Sequence, residues 1–114
     1  MSDRDTLLFL RDILDSISAI ESFLEGIDRE EFAADRKTFS ATIRELEIIG
    51  EASGKIPDDI KSKYPDVPWR MLKDFRNVLA HHYFGINVDI VWDIVQRKLP
   101  DLKRQVEHIA GKAL

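Results

Sequence analysis

The chain has 114 residues, enough for one hydrophobic core and too few for two, so any active site lies on its surface or between copies. Its formal net charge is −4, so the field of the whole molecule opposes a polyanion and any nucleic-acid contact has to be local. Cysteine is absent, which removes disulfides, thiolate nucleophiles and Cys-based zinc sites, and no apolar window approaches the roughly 18 uninterrupted residues of a membrane span.

The opening MSDRDTLLFL carries acidic residues and lacks the long apolar run and small-residue cleavage site of a signal peptide, so a cytoplasmic enzyme or binding module is expected. Over residues 3 to 25, Leu10, Ile13, Leu14, Ile17, Ile20 and Leu24 recur at helical spacing, with Gly26 as the stop. A second helical run follows a cap at Asp28 or Asp35 and turns Phe39, Ile43, Leu46 and Ile49 toward the core until Pro57. Gly50 and Gly54, one turn apart in it, allow another helix to approach closely. PDDIKSKYPDVP has three prolines in twelve residues and is expected to be a loop with at most a short helix at its start.

Pro68 suits the first turn of a third long element, PWRMLKDFRNVLAHHYF, in which Met71, Leu72, Phe75, Val78 and Leu79 make one apolar face and Gly85 marks the end. Asn87 caps a last segment, VDIVWDIVQRKLPDLKRQVEHIAGKAL, which Pro100 kinks or restarts. No useful β-alternation, internal repeat or low-complexity tract interrupts this pattern. The expected architecture is all-α, a bundle of four to five helices in one domain over residues 1–114.

The stretch FRNVLAHHYFG, residues 75 to 85, collects an arginine, an asparagine, two histidines and a tyrosine in an apolar run. On an ideal helix Arg76 and Tyr83, seven positions apart, share a flank of the apolar face, whereas His81 stands about 140° around the axis from Arg76. One unbroken helix cannot aim both at the same point from one side. Either the helix frays before His81 or a second chain completes the site. His82 falls in line with Phe75 and Val78 and is read as structural.

Neutral imidazole at His81 can accept a proton near pH 7 and imidazolium can return it, while Arg76 can fork two donors onto a phosphate oxygen. Cleaving RNA through its 2′-hydroxyl needs a base, an acid for the leaving 5′-oxygen and cationic donors for charge developing on phosphorus. A single chain offers one such histidine. A twofold homodimer with this stretch at its axis would bring two histidines and two arginines to one cleft. Lys73, three residues before Arg76, could extend a positive patch, as could Arg97, Lys98, Lys103 and Arg104. Glu51 is expected to form a solvated ion pair with Lys55 four residues on. His108 is isolated, no HExxH or paired-carboxylate spacing supports a metal site, and no cofactor is expected.

The run IPDDIKSKYPDVPWRMLKDFRNVLAHHYFGIN, preceded by LEIIGEASGK and followed by VDIVWDIVQRKLP, resembles the HepT-like branch of the HEPN ribonuclease toxins, most specifically at RNVLAHHY and at the Pro68-Trp69 dipeptide. That resemblance implies a HEPN-type helical bundle and a toxin encoded beside a minimal nucleotidyltransferase antitoxin of a type VII-like pair. In the family's Arg-x4-His-x-Tyr motif the ribonuclease residues match Arg76 and His81, and the polar residue after the arginine matches Asn77. The tyrosine matches Tyr83, to which the partner adds AMP; the added phosphate and bulk beside Arg76 would occupy the place of the RNA phosphate. Where many relatives have Gly-Met or similar residues before the arginine, this chain has Asp74-Phe75, and Asp74 is placed to pair with Arg70 or Lys73. The alternative implied by the resemblance is a non-catalytic HEPN module that binds nucleotide or positions substrate for a nucleotidyltransferase. Only the nuclease requires a titrating His81.

Overall fold

A computed structural model describes the backbone of residues 3–81 and 87–113 and the side chains of these residues except 76–81 and 113. The first apolar stripe forms α1 (Asp3–Phe23), whose Leu10, Ile13, Ile17 and Ile20 are sealed from solvent. Burying each such side chain contributes about 1.5–3 kcal/mol, so the stripe, more than helix propensity, fixes this element. Gly26 then turns the chain at φ 77°, a left-handed conformation that glycine adopts without a Cβ penalty.

Both aspartates proposed as alternative caps are used, each for its own helix. Asp28 caps the short α2 (Arg29–Ala34) through a reciprocal box: its Oδ1 accepts from the Glu31 N–H at 2.8 Å and its own N–H donates to Glu31 Oε1 at 3.2 Å. Asp35 caps α3 (Arg36–Gly54), accepting from the Thr38 N–H at 3.1 Å and from the Thr38 hydroxyl at 2.6 Å. The break between the two helices lets fully buried Phe32 turn inward between Phe39 and Trp92, with ring centroids 5.5 and 5.4 Å away.

The proline-rich stretch holds only α4 (Asp58–Lys63), as expected of a loop with a short helix at its start. Helix α5 (Trp69–His81) begins directly after Pro68, whose carbonyl accepts from the Leu72 N–H at 3.1 Å. Asn87 caps α6 (Val88–Asp93) through its side-chain oxygen, which accepts from the Asp89 N–H at 2.8 Å. A π-helical turn, Ile94–Lys98, then carries the chain without interruption into α7 (Leu99–Ala113). Proline at position 100 was expected to kink or restart this segment, and the wider turn is how the helix accommodates it. Pro100 has no N–H to give and its ring would crowd the carbonyl four residues earlier; the turn instead closes from the Leu99 N–H to the Ile94 carbonyl.

The described residues are therefore all-α, with four long helical rods and the short α2 and α4 in their connections. The expectation of four to five helices holds for the rods; the extra element is α2, which the two adjacent caps separate from α3. Helix α5 packs on α3, α3 on α1, and α1 on α7, giving a HEPN-type bundle with α1 and α3 at its centre. Leu46, Ile49, Leu72, Leu102, Val106 and Ile109 complete the core between these rods. No helix among the described residues is long and apolar enough to cross a membrane.

Candidate active site and the adjoining groove

The apolar face of α5 fixes the candidate site from beneath. Leu72 is fully buried, and Met71 and Phe75 pack partly buried against the same core, so α5 is held on α3 along its first two turns. The helix then continues through position 81. Of the two arrangements left open for Arg76 and His81, fraying before the histidine is not adopted. Positions 76 and 81 stand on one continuous helix, about 140° apart around its axis and roughly 7.5 Å apart along it. Position 77 lies between them on the same helix. The side chains of Arg76, Asn77 and His81 are outside the described residues, as is all of residues 82–86 and with it Tyr83, His82 and the proposed stop at Gly85.

Lys73 is exposed on α5 and lines a groove of about 620 Å³ running between α3 and the start of α5. Its floor is the small-residue end of α3, Gly50, Ser53 and Gly54. Ser53 is buried and turns its hydroxyl back onto the Gly50 carbonyl at 2.9 Å, leaving a smooth wall where a longer side chain would fill the space. Along the rim stand Lys61, Trp69, Arg70, Lys73 and Asp74. The Trp69 indole N–H donates to the Tyr64 carbonyl at 3.0 Å, and Lys61 Nζ sits 5.8 Å from the centre of the ring, a cation-π distance. Asp74, expected to pair with Arg70 or Lys73, forms an ion pair with neither. Spacing alone allows the pair, but long side chains on an exposed helix face gain little from being held together. Among the described residues the rim therefore carries three cations and one carboxylate, a local +2 on a chain whose net charge is −4.

Sequence reasoning reached Lys73 here, singled out Trp69 only within the family's Pro-Trp dipeptide and Arg70 only as a partner for Asp74, and missed Lys61. Lys61 and Trp69 meet only because the chain folds back between α4 and α5, and no short spacing signals that. Other sequence-based pairings also change. Lys55 does not bridge to Glu51; its Nζ lies 5.6 Å from the centre of the Phe9 ring on α1, because packing of α1 on α3 offers an aromatic face at that point. Arg97, Arg104 and Lys103 are drawn to carboxylates, respectively Asp93 at 3.2 Å, Asp101, and Glu21 of α1 at 3.1 Å. His108, isolated in sequence, stands edge-on to Tyr64 with centroids 6.1 Å apart. Among the described residues no group of three or more His, Asp or Glu side chains is placed to hold a metal ion.

A HEPN-type bundle with an Arg-x4-His spacing on its third long rod defines the class. The chain belongs to the Ribonuclease HepT-like family, whose model matches residues 13–109, and is by that membership a ribonuclease. It is 45% identical over 109 residues to a candidate RNase of Methanocaldococcus jannaschii, covering 96% of this chain and 90% of the relative. Against a probable ribonuclease HepT of Thermococcus cleftensis the identity is 45% over 101 residues, covering 89% of this chain and 92% of the relative. A candidate RNase of Caldanaerobacter subterraneus subsp. tengcongensis is 36% identical over 104 residues, covering 91% of this chain and 93% of the relative. No solved structure matches the chain.

Proposed function

We propose that the chain is a metal-independent endoribonuclease that works as a homodimer, with Arg76 and His81 as the catalytic pair and Asn77 in support. The observation that carries this reading is the unbroken course of α5 through position 81. With the two positions about 140° apart on one helix, a second copy has to supply the complementary group. Across a twofold axis one His81 takes the proton of the 2′-hydroxyl as it attacks phosphorus. The other protonates the 5′-oxygen as the P–O5′ bond breaks, leaving a 2′,3′-cyclic phosphate and a 5′-hydroxyl, and the two Arg76 guanidiniums hold the charge that gathers on phosphorus. Such a nuclease acts in the cell as the toxin of a type VII-like pair. A cognate minimal nucleotidyltransferase antitoxin silences it by placing AMP on Tyr83, where the added phosphodiester competes with RNA for Arg76.

The test is cleavage of RNA by wild type, Arg76→Ala and His81→Ala in EDTA, with light scattering for mass. Wild type should cut as a dimer in chelator, and each variant should lose about 10²-fold or more, the lower range of what a positioned acid or base contributes. A monomer that cuts normally, or activity that needs magnesium, rejects the mechanism. Incubation with the cognate nucleotidyltransferase and ATP should add one AMP mass to wild type and none to Tyr83→Phe; equal incorporation removes Tyr83 as the acceptor.

A further inference from the structure

We propose that the groove between α3 and the start of α5 is the approach site for the sugar-phosphate backbone of single-stranded RNA, with Arg70 and Lys73 as its phosphate contacts and Lys61 at its far rim. The proposal rests on the ribonuclease reading and adds to it where the strand runs outside the reacting residues.

Charge is the first reason. The groove is a locally cationic strip on a chain of net charge −4, and its cations are not neutralised by neighbouring carboxylates, since Arg70, Lys73 and Lys61 form no ion pair with any described residue. Position is the second. Arg70, Lys73 and position 76 follow one another at three-residue steps, each rising about 4.5 Å along α5 and turning about 60° around it, so the two cations lead along a shallow spiral toward the arginine of the motif, with Lys73 the nearer. Shape is the third. Gly50, Ser53 and Gly54 leave a wall without projecting side chains, in a volume of about 620 Å³ that suits an extended backbone better than a single ion. Trp69 is fixed by its bond to Tyr64 and keeps Lys61 over its ring, so the rim is held in place before any ligand arrives. Among the described residues one carboxylate, Asp74, faces this site and works against a polyanion.

The sign of Asp74 makes the test sharp. Binding of a fluorescein-labelled, single-stranded 2′-O-methyl RNA, which has no nucleophile and cannot be cut, is followed by anisotropy across a salt series. Cleavage of ordinary RNA by the same proteins is measured alongside. Arg70→Gln/Lys73→Gln should weaken binding about tenfold and flatten the dependence of log K on log salt by about 1.4, near 0.7 for each lost phosphate contact on a single strand. Asp74→Asn should tighten binding about two- to fivefold, a gain that misfolding cannot produce. Arg97→Gln/Arg104→Gln removes the same two charges from positions where Asp93 and Asp101 already offset them, and should change affinity less than twofold. Equal losses for the two pairs, an unchanged salt slope, or Asp74→Asn binding no tighter than wild type overturns the groove. If the affinity pattern holds while wild type cuts no RNA, the groove stands and the nuclease reading falls; cleavage without the affinity pattern gives the reverse.

Discussion

Two basic concavities of this molecule look alike in sequence and differ in what their charges are doing. The groove of α3 and α5 sets Lys61, Arg70 and Lys73 around a smooth wall, none of them in an ion pair with a described residue and Lys61 resting over the Trp69 ring. The second, of about 320 Å³, lies between the α4–α5 connection and α7 and is lined by Lys63, Tyr64, Arg104, Gln105 and His108, among others. There one cation is paired within α7, and Gln105 and His108 tie the connection to that helix. Arg104 bonds Asp101, the Gln105 amide donates to the Asp66 carbonyl at 3.0 Å, and the Tyr64 and His108 rings meet edge to face. A count of cations, three against two beside His108, barely separates these two places; their partners make one a seam of the fold and the other a surface with charge to offer.

The most forceful way to break this comparison is to remove what supports the groove. Leu72 is fully buried beneath α5, and Leu72→Ala should destabilise the protein by about 2–5 kcal/mol in urea unfolding, through lost burial and the cavity left behind. A loss below about 1 kcal/mol would mean that α5 is seated on α3 by something other than this side chain. A smaller effect sharpens the comparison, because Tyr64, which lines the second concavity, is bonded to Trp69 of the first. Its carbonyl receives the Trp69 indole N–H while its ring meets His108. Trp69→Phe keeps an aromatic wall but strands that carbonyl, and should cost about 1 kcal/mol in unfolding free energy, the usual net worth of such a bond. If RNA affinity also falls in Trp69→Phe while the Lys63 and Arg104 side of the connection is untouched, the groove depends on a rim held in advance.

The smallest effect concerns pH and lies away from both concavities. The Thr38 hydroxyl, and after it the Thr38 backbone N–H, hold the Asp35 carboxyl below its ordinary value of 3.8. A carboxyl whose folded pKa is depressed stabilises the fold above the unfolded value and loses that stabilisation as pH falls through the folded one. Wild type should therefore lose a small increment of stability on acidification below about pH 4, where Asp35→Asn should show a shallower acid limb in thermal melts. Identical limbs would remove Asp35 from the acid response. Neither concavity should register the change, since RNA affinity at neutral pH does not depend on this cap.

Much of the fold was legible because it follows from local rules. The stripe of Leu10, Ile13, Ile17 and Ile20 has one solution, a helix with that face inward, and the three prolines between Pro57 and Pro68 leave room for nothing longer than α4. Asp28, Asp35 and Asn87 announce helix starts by their own chemistry, although deciding between the two aspartates needed the packing of Phe32, which only a separate α2 can turn inward. The candidate site was legible to the extent that it lies within one helix, as the spacing of Arg76, Asn77 and His81 does. Sequence left open whether the helix frays before His81, since a local pattern does not say how far tertiary packing extends a helix; α5 continues through that position.

The sequence by itself thus determined the all-α class, the order of the rods, most of their ends and the family to which the chain belongs, because helical periodicity, caps and motifs are written in neighbouring residues. The tertiary structure alone decided which charges are free. Lys55 lies over Phe9 instead of bridging to Glu51, Lys103 reaches across to Glu21, and Lys61 comes to rest over Trp69 beside Arg70 and Lys73. Each choice depends on which helix lies alongside, and a long flexible side chain takes the partner that packing brings within reach rather than the one nearest in sequence.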